Sequence, residues 1–180
     1  MRLFILRLTT KELSIMKRSL TYLIAACAIL GSATAFGQSG WTSPCSAGAT
    51  IDETATGLYQ TSGASLLFRA GRIGTVSARY DVTNTAVPSV PVTPWTTLEL
   101  GYFDTVGGAV TATLFQVEPC TGRVTTICKV ASISATTSRC VVCTFPAGTL
   151  NFLTFLYFVE VDVVRGVTTV NPQANTLRIF

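Results

Sequence analysis

A strict two-residue alternation is the feature that most constrains this chain. From Gly74 on, Val76, Ala78, Tyr80 and Val82 are apolar, while Thr75, Ser77, Arg79 and Asp81 between them are polar. Successive side chains of an extended backbone point to opposite faces, so the pattern predicts a strand with one face buried and one in water. Extended segments are also predicted over 96–102, 109–117, 124–133, 139–145, 153–164 and 176–180, with weaker ones near Thr50 and over 66–69. Turn-forming residues separate them: Gly107-Gly108, Glu118-Pro119-Cys120-Thr121-Gly122, Pro146-Ala147-Gly148 and Asn171-Pro172. A proline-rich stretch over 88–94 reads as a loop or an edge, because proline cannot donate to a sheet ladder. The segments 124–133 and 139–145 read as a hairpin around 134–138. Helix signals are nearly absent from this part, whose Thr, Val, Gly and Ser favour pleated surfaces and turns.

Roughly eight or nine short strands at regular spacing predict an all-β fold, a single antiparallel β-sandwich in a jelly-roll or immunoglobulin-like arrangement. A membrane barrel fits poorly. Stepping back by twos from Phe180 gives Arg178, Thr176, Ala174 and Pro172, where a lipid-facing strand needs apolar residues.

The net charge of +4 is concentrated at one end, since five of the 13 basic residues lie in the first 18 positions. From residue 19 onward eight basic and eight acidic residues balance. Such a neutral body has no electrostatic footprint for nucleic acid or for an anionic membrane. Lys17-Arg18, the apolar run 20–30 and Ala33-Thr34-Ala35 form the three-part pattern of a cleavable signal peptide. Residues 1–35 are therefore expected to be a targeting segment, with Met16 as an alternative start, and 36–180 a domain exported to the periplasm, the cell surface or the medium. No stable membrane span is expected after cleavage. The alternatives are a retained anchor helix and, because 24–27 looks like a bacterial lipobox, lipidation at Cys27.

Beyond the signal lie Cys45, Cys120, Cys128, Cys140 and Cys143, and export favours disulfides. Cys128 and Cys143 fall on core-like faces, with Val124 and Val130 on one segment and Val141 and Phe145 on the other, which makes them the preferred bridge. Cys140 falls on the opposite face and is expected to meet Cys120 or Cys45. A zinc site from Cys120, Cys128, Cys140 and Cys143 is the weaker reading, because only Cys140 and Cys143 have knuckle spacing and they sit in a strand-like stretch. A redox-active pair lacks a helix N-terminus to lower a thiol pKa.

Candidate chemistry is thin. The chain has no histidine, which excludes Ser-His-Asp and Cys-His catalysis and histidine metal sites. Glu160 and Asp162 lie two apart on one strand face, in reach of the carboxylate spacing of an inverting glycosidase. The plainer reading is a solvated stripe meeting Arg79 or Arg165. Asp52, Glu53, Asp81 and Asp104 lack calcium-loop spacing. No metal and no cofactor is expected.

Two surface readings remain. Trp41, Tyr59, Trp95 and Tyr102 lie near strand ends, and Trp95 and Tyr102 are the candidates for stacking on a sugar if they are exposed; core packing is the commoner fate of such residues. The segment 153–164 has Leu153, Phe155, Tyr157, Val159, Val161 and Val163 on one face, yet Leu156 and Phe158 make its other face apolar too. Either a loop covers that second face, or Leu156 and Phe158 form a contact surface, including one for a homo-oligomer. The expected function is a non-enzymatic secreted module, structural or interacting with a protein or glycan. A carbohydrate-binding module and a Glu160/Asp162 hydrolase are the alternatives.

Overall fold

A computed structural model of the chain describes residues 40–84 and 92–180. The targeting segment, Cys27 and most of the proline-rich stretch lie outside the described residues. Eleven strands are found among those described: β1 (Trp41–Pro44), β2 (Ala49–Thr50), β3 (Tyr59–Ser62), β4 (Ser65–Phe68), β5 (Gly74–Val82), β6 (Thr97–Phe103), β7 (Gly108–Val117), β8 (Val124–Ala131), β9 (Arg139–Thr144), β10 (Leu156–Arg165) and β11 (Gln173–Ile179). They form two antiparallel sheets. One runs β3-β4-β11-β6-β9, with β1 also paired to β11; the other runs β2-β5-β10-β7-β8. The first and last strands are neighbours, with Trp41 opposite Ile179. Among the described residues no helix is long and apolar enough to cross a membrane.

The alternation read from the sequence is what builds the core. Val76, Ala78, Tyr80 and Val82 of β5, Val110, Ala112 and Leu114 of β7, and Tyr157, Val159, Val161 and Val163 of β10 point inward from one sheet. Leu98 and Leu100 of β6, Leu177 and Ile179 of β11, and Phe68 of β4 meet them from the other. Each fully buried side chain of this size contributes about 1.5–3 kcal/mol.

Three expectations need correction. The segments around 124–133 and 139–145 are not a hairpin: β8 pairs with β7 in one sheet, and β9 pairs with β6 in the other. The connection between them crosses from sheet to sheet, tied down where Tyr102 Oη accepts from the Ile133 N–H at 3.0 Å. Val124 is not on the core side with Cys128. A bulge places Leu114 opposite Cys128 but Phe115 opposite Thr126, so Ile127 is the extra residue and the facing of β8 inverts. Finally, β10 starts at Leu156, not at 153, and Leu153 is exposed. Asn151 ends the preceding stretch as an Asx turn, its Oδ1 accepting from the Leu153 N–H at 3.1 Å.

Candidate functional site

The outer face of the β2-β5-β10-β7-β8 sheet carries the most distinctive surface. Even-numbered residues of β10 point outward, and the register sets Phe158 beside Phe115 and Leu156 beside Val117, which in turn lies beside Val124. The rings of Phe115 and Phe158 stack with centroids 5.0 Å apart and planes 27° from parallel. Arg79 of β5 lays its guanidinium over Phe158, 4.7 Å from the ring centre. The sequence marks this spot twice, since β7 turns apolar on its second face at its C-terminal end and β10 does so at its N-terminal end. Antiparallel pairing brings those two ends together. Phe115 and Val117 on β7 carry the same signal as Leu156 and Phe158 on β10.

Farther along the strands the same face is polar. Arg79 and Glu160 are cross-strand partners and form an ion pair at 3.0 Å. Asp162 accepts from Ser77 Oγ on one side and from Thr111 Oγ1 on the other, at 3.3 Å. Both candidate hydrolytic carboxylates are thus held by neighbours on the sheet surface, as a solvated stripe meeting Arg79. Arg165, the other cation considered for them, turns to the inner face of β10 and is buried. The face therefore grades from an aromatic and aliphatic end to a hydrogen-bonding end.

The stacking candidates lie elsewhere. Trp95 and Tyr102 are each only 1% exposed, inside the core. Trp95 meets Phe152 edge-on at 6.1 Å, and Tyr102 Oη donates to the Ile133 carbonyl at 3.1 Å. Neither ring offers a face to a ligand. Trp41 is likewise buried, and Tyr59 is half-buried against the core. Their apolar bulk is worth more inside a sandwich than at its rim. Phe158 stays partly accessible and Leu156 is 61% exposed. Phe115 on β7 and Arg79 on β5 flank Phe158 from opposite sides, so its own sheet supplies part of the cover that a loop was expected to give.

Cys128 and Cys143 form a disulfide across 15 residues. The pair read from the sequence is correct, but it joins β8 of one sheet to β9 of the other and does not span a hairpin. Since both thiolates are consumed, the four-cysteine zinc set is broken. Cys45, Cys120 and Cys140 are unpaired, so the expected second bridge from Cys140 to Cys120 or Cys45 is absent. Cys45 sits in the core, Cys120 in the exposed β7–β8 turn and Cys140 on the exposed side of β9. Burial pushes the Cys45 thiol up to about 12. Cys120 and Cys140 should therefore react with iodoacetamide at pH 8 in the native protein, and Cys45 only after unfolding. Peptide mapping by mass spectrometry checks this; native labelling of Cys45 would contradict its burial.

The aspartates scanned for calcium are dispersed in use. Asp52 caps a 3-10 turn by accepting from the Thr54 N–H at 2.8 Å, and Asp104 accepts from Ser132 Oγ at 2.6 Å inside the protein. Among the described residues no three His, Cys, Asp or Glu side chains gather as metal ligands.

No protein-family profile matches the sequence, and no curated protein matches it. Several solved structures are similar in fold. The xylan-binding module CBM15 shares 15% identity with a TM-score of 0.47, over 79% of this chain and 96% of that one. TmCBM61, solved in complex with beta-1,4-galactotriose, shares 7% with a TM-score of 0.42, over 81% and 83% of the two chains. The C-terminal family 22 carbohydrate binding module of Clostridium thermocellum Xyn10B shares 10% with a TM-score of 0.39, over 79% and 93%. The two-sheet antiparallel β-sandwich itself is given by the strand pairing of this chain.

Proposed function

We propose that the protein is an exported glycan-binding module that engages a polysaccharide on the outer face of its β5-β10-β7-β8 surface. The stacked Phe115–Phe158 pair beside the Arg79, Glu160, Asp162, Ser77 and Thr111 row carries this reading. A sugar ring presents an apolar C–H face and an equatorial belt of hydroxyls. Aromatic edges next to paired donors and acceptors match both halves of that chemistry. The inter-sheet disulfide supports an oxidising compartment, in keeping with the signal-like N-terminus. Catalysis is not part of the reading, because Glu160 and Asp162 are tied to Arg79, Ser77 and Thr111 on the sheet surface.

Affinity gel electrophoresis of the purified protein against a panel of polysaccharides tests the proposal. At least one polysaccharide should retard the protein, and Phe158→Ala should bind that polymer about tenfold more weakly with its melting temperature little changed. Absence of retardation across the panel, or full retention by the variant, would refute it.

A second reading follows from the apolar end of the same face. Leu156, Val117 and Val124 lie side by side across three strands, and Leu156 and Val124 are 61% and 51% exposed. Such a row suits a second protein surface, including another copy of this chain. A dimer in light scattering that Leu156→Asp dissolves, with no polysaccharide retarding the protein, would favour this reading.

A further inference from the structure

The inner side of the β7–β8 pair carries a second feature that the outer face does not use. The inward row of β7 runs Val110, Ala112 and Leu114, all fully buried, and at the next step it turns to Gln116. Gln116 lies opposite Thr125 of β8, so a polar pair stands where the alternation calls for an apolar one. One step on, Glu118 lies opposite Arg123, its N–H donating to the Arg123 carbonyl at 3.0 Å. Gly122, with φ at 67°, supplies the left-handed residue of the turn that joins them. Breaks in an otherwise consistent pattern are expected at functional or strained positions.

Gln116, Glu118, Arg123 and Thr125 line a cavity of about 200 Å³ together with Phe155, a ring packed against the core. These groups are within reach of a ligand, since Glu118, Arg123 and Thr125 are exposed and Gln116 and Phe155 partly so. They are also uncommitted. Glu118 spends only Oε2, on Thr121 Oγ1 at 2.7 Å, and among the described residues the side chains of Gln116, Arg123 and Thr125 have no hydrogen-bond partner. The charges of Glu118 and Arg123 cancel, so the cavity favours neither an anion nor a cation. A carboxylate only accepts and a guanidinium only donates, whereas each hydroxyl of a polyol does both. Neighbouring hydroxyls on one ring therefore serve both residues, a further hydroxyl serves the Gln116 amide or Thr125, and the ring's C–H face meets Phe155. The volume suits a single ring, being below the about 300–1,000 Å³ of pockets that hold drug-sized ligands.

We propose that this cavity binds one neutral sugar ring, held between Phe155 and the Gln116, Glu118, Arg123 and Thr125 side chains. The chemistry is shared by a free monosaccharide and by the terminal unit of a glycan chain. Chemical-shift titration of the isotope-labelled protein is the test, with D-glucose, D-galactose and D-xylose, a linear trimer of each, and L-serine as a zwitterion that can pair with Glu118 and Arg123 without a ring. At least one sugar should move the Gln116 side-chain amide and the Glu118 and Thr125 N–H signals in a saturable way, and L-serine should not. Tighter binding of the trimer would place the natural ligand at a chain end; equal or weaker binding would assign it to a free sugar.

Gln116→Leu continues the apolar row of Val110, Ala112 and Leu114, so the melting temperature should hold or rise while sugar binding falls about tenfold or more. Arg123→Ala, at an exposed position of the turn, should weaken binding comparably without unfolding the protein. Phe158→Ala should leave these shifts unchanged, so the cavity and the sheet face stand or fall separately. No saturable shift with any of the sugars at millimolar concentration, an equal response to L-serine, or undiminished binding by both Gln116→Leu and Arg123→Ala would overturn the proposal.

Discussion

Replacing Cys128 and Cys143 together by serine should lower stability by about 3 kcal/mol, the loop-closure cost of a cross-link over 15 residues. For a domain of this size that is a fall of roughly 6–12 °C in melting temperature. The location adds to the effect. Each cysteine sits on the last strand of its sheet, β8 or β9, so the bond closes the side of the sandwich where neither strand has a further neighbour. Cys128 is buried, and a serine hydroxyl there must leave water without the bond it replaces. Exposed Cys120 and Cys140 serve as controls, and their serine variants should stay within about 0.5 kcal/mol of the parent. Thermal melts without reductant decide the matter, and an unchanged midpoint in the double variant would contradict the bridge.

The larger loss is expected from Trp95→Ala. Trp95 anchors an aromatic chain: its ring meets Phe152 edge-on, and Phe152 meets Tyr157 at 4.9 Å. Truncating a buried indole costs about 3–5 kcal/mol, through lost transfer energy and the cavity left behind. Trp95→Phe should cost much less. It keeps an aromatic edge for Phe152 and removes a buried Nε1–H that has no acceptor. Urea denaturation ranks the three proteins, with the parent first and alanine last. A stable Trp95→Ala protein that loses polysaccharide retention would instead return Trp95 to the binding surface, against its burial.

Most strands were readable because the sandwich has a wet and a dry side, and alternation records which is which. Segment 74–82 became β5 with no change of boundary. What alternation does not encode is the neighbour of each strand. β8 and β9 follow each other and each has an inward face, so a hairpin and an inter-sheet crossover leave the same trace in the sequence. The bridge could still be read correctly, because a disulfide needs only two inward cysteines within reach, and both arrangements supply them. β1 and β3 leave no alternating signature in the sequence. β1 is four residues long and ends on Pro44, and β3 is exposed along most of its length. Trp95 and Tyr102 illustrate the limit at the site, since a large ring near a strand end has the same local sequence whether it turns in or out. The Phe115–Phe158 pair needs the register of two strands about 40 residues apart, which no local pattern contains. Arg165, expected alongside Arg79 as a cation for the Glu160 and Asp162 stripe, lies on the inner face of β10, as its odd number requires.

The pairing of β1 with β11 has a mechanical consequence. Gly40 and Phe180 flank the Trp41–Ile179 pair, so chain attached at either end departs from the same pole of the sandwich. Adjacent entry and exit points allow such a body to be carried within a loop of a larger protein without prying its host apart. The same geometry sets how it responds to tension. A pull on the two ends would load the β1–β11 bonds one after another, as a zipper opens, and not all together in shear. The strand pair would peel at low force, while the edges clamped by the disulfide lie outside the line of pull.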